Sequence, residues 1–98
     1  MNAMILRAKV KPESVVEVEE AVRTLFAAIQ DAQPEGVHYG SFRLSDGETF
    51  VVLLALDGTE NPLVEVPGFV EFQQNLKGWL AQPPIPEQAT VIGSYNLF

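Results

Sequence analysis

The chain has a single histidine, a single tryptophan, two tyrosines and six phenylalanines, and its candidate chemistry gathers on them. His38 is the one side chain that titrates near neutral pH without help from its surroundings. On an extended segment it shares a face with Gly40, Phe42 and Leu44. That is the more apolar set, so it is expected to lie under the helices, with Gly40 leaving space beside the imidazole. In such a pocket His38 would act as a general base, taking a proton from an acidic phenol or carbon. The competing account is a histidine at a strand end bonded to backbone or water. Trp79, Phe72, Phe42 and Tyr95 are the candidate walls of a site for a flat aromatic ligand, since indole and phenol join apolar area to one polar handle. The same residues would serve equally as ordinary core.

Other chemistries find little support. The chain lacks cysteine, which removes disulfides, thiolate zinc sites and cysteine nucleophiles. One histidine does not make a multi-histidine metal centre, and Asp57, Glu60 and Glu65 lack the spacing of a calcium loop. No metal and no cofactor are expected. The serines have no nucleophile-elbow context and the glycines form no phosphate-cradling cluster. Thirteen acids against six bases give a formal net charge of −7, unsuited to nucleic acid or an anionic membrane. The longest apolar run, Phe50 to Leu56, is far below the ~20 residues of a membrane span. Arg7 and Lys9 interrupt the first apolar stretch, so no secretory signal is read there and a cytoplasmic protein is expected.

These residues must be positioned by a strand–helix–strand–strand–helix–strand chain, one domain over 1–98. Met4, Leu6, Ala8 and Val10 alternate along a first strand, Ala3 to Val10. Val15, Val18, Val22, Leu25, Phe26 and Ile29 form the stripe of a five-turn helix that starts at Pro12 or at a Ser14–Glu17 capping box. Pro34 and Gly36 stop it. Val37 to Leu44 and Thr49 to Leu56 make a hairpin about Asp46-Gly47. A loop, 57–68, leads to a helix over Phe69 to Ala81. Pro83-Pro84-Ile85-Pro86 reads as a stiff connector, and a last strand is expected from Ala89 to Phe98.

This order predicts a ferredoxin-like α+β domain, a four-stranded antiparallel sheet with two helices on one face. The strand from Phe50 to Leu56 is apolar at every position, so both of its faces should be covered. Two helices cover one. Val51, Leu53, Ala55 and Ile5 on the other face call for a second copy of the sheet, and a homodimer is expected. Arg7 and Arg43 are expected on that same outer face, as ion pairs or anion ligands.

The punctuation of the chain resembles the dimeric α/β-barrel superfamily, nearest its antibiotic-biosynthesis-monooxygenase-like branch. The resemblance rests on Val10-Lys11-Pro12, on Pro34-Glu35-Gly36-Val37-His38-Tyr39, and on the phenylalanine-bearing second helix. In Asp46-Gly47-Glu48-Thr49-Phe50, Asn61-Pro62-Leu63 and Val91-Ile92-Gly93-Ser94-Tyr95 the chain resembles an uncharacterised subgroup of that branch. It implies a dimeric barrel and, among several activities, cofactor-free monooxygenation of an aromatic or polyphenolic substrate. The second helix has no histidine, which sets the chain apart from the haem-degrading branch. The alternative is a non-catalytic ligand-binding or dimeric assembly module of the same fold.

Overall fold

A computed structural model describes residues 2–95. Its elements run β1 (Asn2–Lys9), a 3-10 turn (Pro12–Ser14), α1 (Val15–Ala32), β2 (Val37–Arg43), β3 (Thr49–Leu56), a second 3-10 turn (Pro62–Glu65), α2 (Phe69–Trp79) and β4 (Ile85–Thr90). The sheet is antiparallel in the order β2-β3-β1-β4, with both helices on one face. This is the expected ferredoxin-like arrangement. β1 and β3 occupy the centre, so both edges of β3 are paired.

Pro12 opens the first 3-10 turn, whose Ser14 N–H donates to the Lys11 carbonyl at 2.8 Å. The turn runs directly into α1, and the Ser14 side chain makes no capping bond, so the capping box does not form. Gln33 ends α1 in the left-handed region (φ 48°) and donates its N–H to the Ile29 carbonyl. Val18 and Leu25 of the apolar stripe are buried. One core cluster joins Leu25, Leu54, Leu63, Val66 and Phe69; a second joins Val10, Val18 and Phe50. Leu63 and Val66 come from the stretch expected to be loop. Asn61 accepts from the Leu63 N–H through its side chain at 3.0 Å, folding the chain inward so that Leu63 is fully buried.

Two expectations are corrected. The last strand begins at Ile85, four residues early, and ends at Thr90; residues 91–95 form no strand, and 96–98 lie outside the described residues. Pro86 stands opposite Leu6 within the pairing. β4 is an edge strand with one unpaired side, where a proline is tolerated. The second correction concerns β2. Val37, Tyr39, Ser41 and Arg43 face the helices, whereas His38, Gly40 and Phe42 face the opposite, open side. Register decides this: Tyr39 pairs with Leu54 and Arg43 with Phe50, both core residues. Phe26 of α1 stacks on Tyr39 with ring centroids 5.2 Å apart, and Glu19 of α1 accepts a hydrogen bond from Arg43. Arg43 is therefore an ion-pair partner of α1 and not a cation of the open face, which Arg7 does join.

Candidate functional site

On the open face, one row of directly paired residues runs His38, Ala55, Ala3, Ala89 across the sheet. The carboxylate of Asp57, just past β3, can only accept, so the ring N–H at His38 Nε2 donates to Asp57 Oδ1 at 3.1 Å. Asp57 also closes the strand pair through its own N–H to the Gly36 carbonyl at 2.9 Å. Gly36 holds φ at 77°, in the left-handed region. This partnership was missed in the sequence because the two residues lie nineteen apart, and only the pairing of the two strands brings them together at the open end of the hairpin.

The sequence-derived site residues do not converge. Phe42 lies on the open face, its ring against Gly40, and is 49% exposed. Tyr95 is 89% exposed beyond β4. Trp79 packs against Val10, Val18 and Phe50 at the end of α2, as core. Phe72 also stands between helices and sheet, where it packs against the Leu25–Phe69 cluster and lines a small void. His38 and Phe42 are thus separated by the sheet from Phe72 and Trp79. The expected sheet–helix pocket containing the imidazole is not formed, because β2 turns its other set of side chains inward.

A groove is present on the helix side. Between α2, β1 and the 81–84 connector lies a groove of ≈ 460 Å³, lined by Leu6, Gln73, Leu76, Lys77, Leu80, Ala81, Gln82, Pro83 and Pro84. Gln73, Leu76 and Lys77 stand three and four residues apart along α2, and Leu80 follows at its C-cap. The signal was therefore in the sequence, but Gln73 and Lys77 read as solvent-facing residues, which on the rim of an open groove they also are. Behind it an internal void of ≈ 30 Å³ shares Leu6, Gln73 and Leu76 and reaches Val22, Tyr39 and Phe72. Burial pushes the Tyr39 phenol above its ordinary value, so it stays protonated at neutral pH. Among the described residues no cluster of three potential metal ligands occurs, and no helix is long and apolar enough to cross a membrane.

Comparison with solved structures follows this geometry. A proposed antibiotic biosynthesis monooxygenase from Nitrosomonas europaea superposes with a TM-score of 0.79 at 18% identity, covering 95% of this chain and 100% of its own. This chain has the antibiotic-biosynthesis-monooxygenase fold. A conserved protein from Methanosarcina mazei shares that fold at a TM-score of 0.73 and 20% identity, over 90% of this chain and 89% of its own. SnoaB from Streptomyces nogalater, a cofactor-independent oxygenase, shares it at 0.71 and 15% identity, over 95% and 94%. No family model matches the sequence, and no curated protein does. The shared fold leaves chemistry to be argued from the site.

Proposed function

We propose that this protein binds a flat, largely apolar small molecule in the groove beside α2 and acts on it as a cofactor-independent monooxygenase. The observation that carries the reading is the groove itself, whose walls are mainly aliphatic and whose polar groups are Gln73, Lys77 and Gln82. Its volume suits a ligand of a few fused rings. Support for the chemistry comes from the fold shared with SnoaB. In such a reaction an activated methylene loses a proton to solvent, its carbanion passes an electron to dioxygen, and the radicals recombine to a peroxide anion that takes a proton back. Loss of water then leaves a ketone, so that one methylene and one dioxygen become one carbonyl and one water. The substrate supplies every electron. The protein's part is to orient the ring system against an apolar wall and hold dioxygen close. The apolar void behind the groove is of a size for one small apolar molecule.

His38 stands across the sheet from this groove, and the proposal gives it no part in the reaction. Oxygen uptake with anthrone- or quinol-type substrates tests the assignment. Wild type and His38→Ala are expected to turn over alike, while Leu76→Trp, which fills the groove, is expected to lose at least nine-tenths of the activity (roughly the effect of blocking a site outright). Uptake unchanged in Leu76→Trp would move the site elsewhere. One observation favours a second reading: the ionisable side chain lining the groove is a lysine, with no carboxylate or imidazole as base. Saturable ligand binding without oxygen uptake would make the protein a binding module.

We further infer that the open sheet face is covered by a second copy. Ile5, Val51 and Leu53 are partly exposed there, and Phe42 and Ile85 more so.

A further inference from the structure

We infer that Lys77 makes the groove selective for an anion: an ionised phenol, enol or carboxylate carried on a flat apolar body. The inference rests on the groove reading above and names its ligand's charge. The chain holds thirteen acids and six bases, yet no carboxylate lines the groove. Leu76 and Lys77 are neighbours on α2 and both line the groove, which places an ammonium at the edge of an apolar wall. Among the described residues that ammonium has no ion pair or hydrogen bond.

A lysine in the last turn of a helix often serves the helix's own carbonyls. That duty is already performed by another residue. Lys11 donates through Nζ to the Gly78 carbonyl at 3.2 Å and through its backbone N–H to the Trp79 carbonyl at 2.9 Å. Lys77 is left to face the groove. Against an apolar wall its charge is less screened than in open water, so it favours the ionised form of a bound acid. The proton released goes to solvent, since no base lines the groove. The ionised form is also the one that gives an electron to dioxygen most readily, which ties the selectivity to the proposed reaction.

Calorimetry near neutral pH with two isosteric probes, 9-anthracenecarboxylate and 9-anthracenemethanol, tests this. Wild type is expected to prefer the carboxylate by about fivefold, the scale of one partly exposed ion pair. Lys77→Gln should bring the two affinities together, and Lys77→Glu should reverse the order. High salt should erode the wild-type preference. A purely helix-stabilising lysine would change melting temperature in these variants and leave the ratio of affinities alone. Equal affinities in wild type, or a carboxylate preference that survives Lys77→Gln, overturns the inference while the groove stands. Failure of both probes to bind, or binding undiminished in Leu76→Trp, overturns the groove and this inference together.

Discussion

Asp46 organises the hairpin with one carboxylate. Its Oδ1 accepts from the N–H groups of Glu48 and Thr49 at 2.9 and 2.8 Å, and its Oδ2 accepts from the Thr49 hydroxyl at 2.6 Å. Gly47 follows at φ 76°, a conformation that costs glycine nothing. Three bonds to the charged form, the Thr49 hydroxyl foremost, pull the Asp46 carboxyl from 3.8 down to about 2. The folded value lies below the unfolded one. The hairpin's gain is therefore complete above the ordinary carboxylate value and is lost as pH falls from there through about 2. An NMR titration of the Asp46 carboxyl should show its midpoint near 2. In Thr49→Val the midpoint should rise toward the ordinary value, and a midpoint that stays put would remove the hydroxyl from this account.

At the scale of elements, α1, the hairpin and α2 were legible because each is written in periodicity and punctuation. The face of β2 was read wrongly, although the sequence contained the means to read it. A turn over 45–48 sets Leu44 opposite Thr49, as the Leu44 N–H to Thr49 carbonyl bond of 2.8 Å shows. Arg43 then stands opposite Phe50, and with Val51 and Leu53 assigned to the open face, Arg43, Ser41 and Tyr39 must turn toward the helices. Apolarity of β2 by itself pointed the other way because Arg43 finds Glu19 and Tyr39 finds Phe26, so polar and amphipathic side chains are accommodated inside. Local composition was weighed where pairing register should have ruled. The 57–68 stretch hid its core residues for another reason: Leu63, Val64 and Val66 form a short apolar patch between prolines, too brief to show a period that would tell the buried Leu63 and Val66 from the exposed Val64. Leu63 is fully buried against Leu54 and Phe69. Leu63→Ala should lower unfolding free energy in urea by about 3 kcal/mol, whereas Val64→Ala, at an exposed neighbour, should change it by less than about 0.5 kcal/mol. Equal small losses would mean that the 3-10 turn merely lies on the surface.

For the whole molecule, the sheet is the deciding feature. Its helix side is closed by α1, α2 and the Pro62–Glu65 turn. Its open side carries Gly40, Leu53, Ile5 and Glu87 in one cross-strand row, and Phe42, Val51, Arg7 and Ile85 in the next. Apolar side chains run through the middle of that surface, and charged ones occur on β1 and β4 toward one side of it. A two-fold copy would cover the apolar middle at roughly 25 cal/mol per Å² of apolar area removed from water, and would leave Arg7 and Glu87 near groups of opposite sign on the same face. Leu53 lies in the central strand pair between Gly40 and Ile5, so a charge placed there falls in the apolar middle that a second copy would cover. Sedimentation at micromolar concentration should find dimers for wild type and single chains for Leu53→Glu. Val64→Glu adds the same charge at a 58%-exposed position away from the sheet and should remain dimeric. If wild type sediments as single chains, the open face needs another cover; if Leu53→Glu stays dimeric, the two copies meet through some other surface. The groove beside α2 lies on the far side of the sheet from this interface, so ligand affinity in Leu53→Glu should match wild type even where the dimer is lost.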